Sequence, residues 1–233
     1  MILICDNDIV IKLVGCELFD HMLMMLSATR KDILITPTAR FSIQKYAKKQ
    51  ITNETVRDSL VALVNGLATV SDQDHQQLAH LSSFDGLDGG ENQLILAAVN
   101  MPHSTFLTGD KRCLSALVDN SDDKQISTIT KQLANRIYCF EHILLQLIDC
   151  FGFDVVKNKV LNRCVKDGML DIVFRVGKTE NDVKDGLWSF GQLSKFSPLL
   201  AQPNKPAKAH AVLTTLMANY SQEQLQALAD IEI

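Results

Sequence analysis

Acidic side chains directly follow two short apolar segments of this chain. Asp6 and Asp8 come after "ILIC" (residues 2–5), and Asp110 comes after "TFLT" (105–108), with one glycine between. Carboxylates gathered at one place either take up protons or bind a hard cation. The two strand-like segments therefore end in candidates for metal or acid–base chemistry.

A further acid opens the segment "ENQLILAAVN". Its residues Glu91, Leu94, Ile95 and Ala98 follow the i, i+3, i+4, i+7 spacing of one helix face. In a parallel α/β sheet, the carboxyl ends of strands and the amino ends of helices lie at the same edge. We therefore expect the acids after the two strands to converge with Glu91, although they are far apart along the chain.

Such a cluster predicts a divalent cation. Two carboxylates about 5 Å apart repel each other by about 3 kcal/mol at an effective dielectric constant of ~20. Oxygen ligands without His or Cys favour Mg²⁺ or Mn²⁺ over zinc. Such an ion can bind a phosphate and activate water against a phosphodiester. Asp6, Glu91 and Asp110 are the predicted ligands, and Asp8 is a fourth candidate.

Each acid also has a structural explanation as a helix cap. Asp88 and Glu91 have the spacing of a capping box, Asp110 could cap the helix that follows it, and Asp8 could cap the first helix. Asp6 is harder to explain in this way, because an unpaired charge after a buried strand is costly. One shared site accounts for these positions better than separate caps at one rim.

The elements that would position these acids alternate between strand and helix. Short apolar segments predict strands at residues 2–5, 32–36, 67–71, 105–108 and 136–140. Helices are expected at 9–28, 38–51, 54–66, 72–83, 91–100 and 113–120. This alternation predicts an α/β domain over residues 1–140 with a mostly parallel central sheet.

The remaining chain predicts a second region. Residues 141–233 have the pattern of a helical C-terminal extension of unknown role, interrupted by a Pro-containing connection at 197–208. A final helix is expected to begin at Ser221, with Gln224 in capping-box register.

Composition limits the classes of function. The chain has 233 residues, 46% of them hydrophobic, and a net charge of −4, so a basic surface for a polyanion must be local. Its six cysteines form no C-x-x-C pair, which predicts reduced thiols and a cytoplasmic location. No apolar run approaches the ~18 residues of a membrane span, so no membrane partner is expected.

Three motifs in order resemble those of the PIN-domain nucleases: "ILICDND", "GGENQLILAAV" and "FLTGDKRCL". The resemblance covers roughly residues 1–140. It implies a three-layer α/β/α fold, a carboxylate cluster that binds Mg²⁺ or Mn²⁺, and hydrolysis of RNA.

The resemblance can be carried over residue by residue. Asp6 matches the first acid of the family, Glu91 the acid that opens the later helix, and Asp110 the acid of the T-x-D element, whose threonine is Thr108. Many family members place another acid in the helix after the second strand. This chain has Ile43 and Gln44 where that acid would fall, and Asp8 where Asn, Ser or Thr is common.

The resemblance implies a metal-dependent endoribonuclease with RNA as its partner. An antitoxin-like or other protein partner and a homodimer are further expectations by analogy. Residues 30–50 contain six bases and one acid, and Lys45, Lys48 and Lys49 are placed on the helix face opposite Ile43, Tyr46 and Ala47. These lysines, with Thr108 and Lys111, are the candidate substrate-binding residues.

Two other readings stay open. "ILICDNDIV" also resembles the opening motif of haloacid-dehalogenase-type phosphatases, with Asp6 as nucleophile and Asp8 as general acid. The absence of an acid near Gln44 favours a catalytically degenerate PIN-like module that binds RNA or protein without cutting it.

Overall fold

The computed structural model describes residues 1–201. The predicted helix beginning at Ser221 and residues 202–208 of the predicted connection lie outside the described residues. Residues 1–201 belong to one compact unit.

The centre of the fold is a sheet of five parallel strands. They are β1 (Ile2–Cys5), β2 (Ile33–Ile35), β3 (Ala68–Thr69), β4 (Ser104–Thr108) and β5 (Ile137–Cys139). Their order in the sheet is β3-β2-β1-β4-β5, and every neighbouring pair is parallel. The five predicted strands and their parallel arrangement are confirmed.

The strand order reverses between β1 and β4. The chain builds outward from β1 through β2 to β3, and then returns to place β4 on the other side of β1. Cys5 is paired with Leu107, and the amide of the next residue, Asp6, donates to the carbonyl of Leu107 at 2.9 Å. A reversal of this kind opens a crevice beyond the carboxyl ends of the two strands, where ligands of α/β proteins bind.

Helices connect and cover these strands. They are α1 (Asn7–Gly15), α2 (Phe19–Met25), α3 (Ala39–Gln50), α4 (Glu54–Gly66), α5 (His75–Leu81), α6 (Gly89–Asn100), α7 (Lys111–Asp119), α8 (Lys124–Leu133), α9 (Phe140–Phe151), α10 (Phe153–Leu161), α11 (Gly168–Val173), α12 (Glu180–Phe190) and α13 (Leu193–Phe196), with a 3₁₀ turn at Arg30–Asp32. Within residues 1–201, none of the helices is long and apolar enough to span a lipid bilayer.

Two expectations about helices were wrong. The single helix expected at 9–28 is two helices, because the chain turns at Glu17, whose φ of 54° is left-handed. Helix α8 was not expected, although Asp123 caps it by accepting from the amides of Gln125 and Ile126. Its apolar residues at 126, 129 and 133 have helical spacing, which was the available signal.

Alternate strand residues pack on opposite faces of the sheet. Leu3 and Cys5 belong to a core with α1–α4 and α9–α12, whereas Ile4 belongs to a core with α5–α8 and α13. This alternation follows from the period of two of a β-strand. The sheet is therefore covered by helices on both faces.

Helices α9–α12 pack on the same core as the first helices. Helix α9 contacts α2, α10 and α12. The amide of Cys164 donates to the carbonyl of Gly15 at 3.0 Å, and Val165 pairs with Ile51 in an isolated bridge. The extent and role of a separate C-terminal region stay predictions.

Gly15 should be essential for this junction. A Cβ at Gly15 would lie 2.4 Å from Cβ of Val165, so Gly15→Ala forces helix α1 and the Val165 segment apart. We expect a loss of about 1–3 kcal/mol in the free energy of unfolding, measured by urea denaturation.

Gly66→Ala is the matched control, since nothing lies within 4 Å of a Cβ at that helical position. It should be neutral or slightly stabilising. Equal stability of the two variants would contradict this account of the junction.

Candidate active site

A cleft of about 520 Å³ lies at the carboxyl edge of the sheet, above the junction of β1 and β4. Three carboxylate-bearing segments reach it: the turn after β1, the start of α6 and the turn after β4. Its lining residues are Asp6, Asn7, Asp8, Ile11, Tyr46, Gln50, Asp88, Glu91, Gly109, Asp110, Lys111 and Arg112. The structure therefore brings the predicted acids of three chain segments to one place.

Asp6 stands at the end of β1 and is the N-cap of α1. Its carboxylate accepts from the amide of Asn7 at 2.6 Å. Burial raises the pKa of Asp6 to about 7, helped by the charges of Asp8, Asp88 and Asp110 and opposed by the Asn7 amide. The expectation that Asp8 caps this helix was wrong, because the helix begins one residue after Asp6.

Glu91 and Asp88 form the expected capping box of α6. The Glu91 amide donates to Asp88 at 2.8 Å, and the Asp88 amide donates to Glu91 at 3.1 Å. Glu91 is buried, and burial raises its pKa to about 8, although the Asp88 amide lowers it. The nearby charges of Asp88, Asp110 and Asp6 raise it further. Asp88 and Glu91 thus both cap α6 and belong to the acidic cluster.

Asp110 is the N-cap of α7 and is ion-paired. It accepts from the amide of Arg112 at 2.7 Å, and the Arg112 guanidinium Nε lies 3.1 Å from its second oxygen. Burial raises the pKa of Asp110, but Arg112 lowers it more, so the net shift is downward. The hydroxyl of buried Thr108 accepts from the Asp110 amide at 3.1 Å and fixes the turn after β4.

Asp8 also carries a cationic partner. Lys12 lies 2.8 Å from Asp8 and 3.0 Å from Asp167, and so links α1 to the start of α11. A Cβ at Gly109 would lie 2.2 Å from Asp8, so only glycine lets the loops after β1 and β4 approach this closely.

Lys111 lies at the cleft, but its ammonium group is engaged elsewhere. Its Nζ is 2.5 Å from Glu141 and 2.9 Å from the carbonyl of Phe190. Glu141 is buried, and its second oxygen has no hydrogen-bond partner. Sequence reasoning missed Glu141, although it follows the strand-like "RIYCF" as Asp6 follows "ILIC".

Helix α3 contributes no acid to the cleft. Its residues there are Tyr46 and Gln50, whereas Ile43 is buried and Gln44 lines a separate groove. Tyr46 was expected on the buried face, but it is 46% exposed.

The candidate lysines of α3 do not line the cleft. Lys45, Lys48 and Lys49 are exposed, and within residues 1–201 they have no ion-pair partner. Lys48 lies in the separate groove with Gln44.

The oxygen donors of the cleft are of the type that binds a hard dication, but their present arrangement does not form a metal site. Among the residues that the structure describes, no three Asp, Glu, His or Cys side chains are arranged to hold a metal ion. Arg112 holds Asp110, and release of Asp110 requires that the Arg112 side chain, which is 81% exposed, turns to solvent. Asp6, Glu91 and Asp110 could then serve as ligands, beside the buried, unpartnered side-chain oxygen of Asn7.

Removal of one charge from this cluster should stabilise the protein. The folded state holds a proton on Asp6 up to about pH 7, whereas the unfolded chain loses it near pH 3.8. Between these values the folded state binds more protons, so its stability falls as pH rises. Asp6→Asn keeps a good N-cap and should be more stable than the unmodified protein at pH 8 by about 2–4 kcal/mol, and by little at pH 4.

Urea denaturation in EDTA at both pH values measures this difference. Lower stability of Asp6→Asn at pH 8 would show that Asp6 has a cationic partner in solution.

The Lys111–Glu141 pair should be structural. Lys111→Ala leaves the Glu141 carboxylate buried without a partner, which should cost about 2–4 kcal/mol of unfolding free energy. Adding Glu141→Gln should restore part of that loss, measured by the same denaturation. If Lys111→Ala is as stable as the unmodified protein, the ion pair is not formed.

Comparison of the chain with protein-family models, with curated proteins and with solved structures found no match in any of the three.

Proposed function

We propose that this protein is a metal-dependent endoribonuclease that hydrolyses RNA phosphodiester bonds in the carboxylate cleft. The observation that carries the proposal is the convergence of Asp6, Asp88, Glu91 and Asp110 in one cleft at the reversal of strand order. The motifs of residues 1–140 that resemble PIN-domain nucleases support the same activity.

The electrostatics of the cleft favour a cation. Within residues 1–201, Lys12 partners Asp8 and Arg112 partners Asp110, whereas Asp6 and Glu91 have no basic partner. Their raised pKa values reflect charges that are costly to form without a counterion. All the donors are oxygens, the ligands of Mg²⁺ and Mn²⁺.

The acids of the cleft and Arg112 have distinct parts in the proposed reaction. Asp6, Glu91 and Asp110 would hold the ion, which supplies activation of water and neutralisation of phosphate charge when bound. Thr108 fixes the Asp110 turn. Arg112, when released from Asp110, would be a cation at the cleft edge for a substrate phosphate. Lys111 is not assigned that role, because Glu141 neutralises it.

A second candidate is a PIN-like module that binds RNA without cutting it. It is favoured by the side chains that α3 places at the cleft, Tyr46 and Gln50, neither of which is acidic. The phosphatase reading gains no such support, since its general acid, Asp8, is ion-paired with Lys12.

Incubation of the protein with a mixed RNA pool tests the proposal. We expect fragments with Mn²⁺ or Mg²⁺ and none with EDTA. Asp6→Asn, Glu91→Gln and Asp110→Asn should each lower the cleavage rate by about a hundredfold or more, with circular dichroism unchanged.

Asp122→Asn is the control, because Asp122 is an exposed acid outside the cleft. Retention of RNA without fragments would favour the binding module, and release of phosphate from an aryl phosphate would favour the phosphatase. An unchanged rate in the Asp6 or Asp110 variant would refute the assigned site.

A further inference from the structure

Helix α3 exposes two aromatic rings, one of which lines the carboxylate cleft. Tyr46 lines the cleft and is 46% exposed, and Phe41 is 77% exposed. Neither ring takes part in an aromatic or cation–π contact within residues 1–201.

The helical period fixes the order of side chains around α3. At 100° per residue, the positions follow one another from the cleft outward as Tyr46, Lys49, Lys45 and Phe41. The buried residues Ala39, Ile43 and Ala47 continue this series on the other side of Tyr46. A chain that leaves the cleft over α3 therefore meets a ring, two ammonium groups and a second ring. We call these four residues the α3 platform.

The charges of the α3 platform are available to a ligand. Lys45 and Lys49 are exposed and have no ion-pair partner among the described residues. Lys48 differs, because its groove also contains Glu54 and Asp58, whose two negative charges balance the positive charges of Lys48 and Arg57. Of the three α3 lysines predicted from the sequence to bind substrate, we therefore assign Lys45 and Lys49 to contact with a phosphate backbone.

We propose that the α3 platform binds single-stranded RNA, with one base stacked on Tyr46 at the cleft, the backbone on Lys49 and Lys45, and a second base on Phe41. Alternating rings and cations are the means by which proteins hold single strands, since every base offers a face for stacking. In a duplex, those faces are occupied by neighbouring bases. The inference rests on the proposed function, which it deepens by naming the form of the substrate and the residues that hold it.

Fluorescence anisotropy of a labelled single-stranded RNA of about a dozen nucleotides, in EDTA so that no cleavage occurs, tests the platform. Tyr46→Ala should weaken binding about five- to a hundredfold, and Phe41→Ala by a similar factor. Tyr46→Phe should bind like the unmodified protein because it keeps the ring. Lys45→Ala and Lys49→Ala should weaken binding and lower its salt dependence, and more so than Lys48→Ala.

Trp188→Ala is the aromatic control, because Trp188 is 52% exposed on α12 and does not line the cleft. It should leave binding unchanged. Thermal melting of each variant checks that the fold is intact. The same RNA annealed to its complement should bind more weakly than the single strand, and the two alanine variants of the rings should remove that preference.

The results separate the two proposals. If the Tyr46 and Phe41 alanine variants bind single strands like the unmodified protein, the platform is overturned, whether or not the protein cleaves RNA. If they lose binding while the unmodified protein cuts nothing with Mn²⁺, the platform stands and the nuclease assignment fails. A duplex bound as tightly as the single strand would also overturn the platform.

Discussion

The reversal of strand order between β1 and β4 is the constraint on which the site depends. It places the carboxyl ends of the two strands side by side, and the hydrogen bond from the Asp6 amide to Leu107 holds the exit of β1 against β4. Helices α1, α6 and α7 all begin at this edge, so their N-cap acids meet there. The position of the cleft follows from the strand order. The acids reach it because they lie where strands end and helices start.

The same arrangement explains how the acids coexist. Each N-cap carboxylate accepts an amide hydrogen bond at the positive end of a helix dipole, which offsets part of the mutual repulsion. Capping alone does not fully offset the repulsion between the acids, because the pKa values of Asp6 and Glu91 remain raised to about 7 and about 8. Helix capping and the proposed cation are therefore compatible explanations of these acids rather than alternatives.

The sequence was sufficient for the features that depend on period and topology. Short apolar runs identified all five strands, and the rule that strand ends and helix starts share an edge brought Asp6, Glu91 and Asp110 together. The sequence was insufficient to predict which partner a side chain binds when several partners are within reach. Nothing in "GDKRCL" shows that Arg112 turns back to Asp110 while Lys111 reaches Glu141, thirty positions away. Tyr46 lies beside the buried residues of α3, and the helical period alone does not show that it stays 46% exposed.

Acids from the chain after residue 140 help to keep the cleft negative. Lys12 contacts Asp8 and Lys111 lines the cleft, and each is bound by such an acid, Asp167 and Glu141 respectively. Both acids are buried enough that screening by water is weak. Asp167 shares Lys12 with Asp8, and Glu141 takes the ammonium group of Lys111, which lines the cleft. The helices after residue 140 thus do more than cover the sheet, because the acids Glu141 and Asp167 offset the positive charge of two lysines beside the carboxylate cluster.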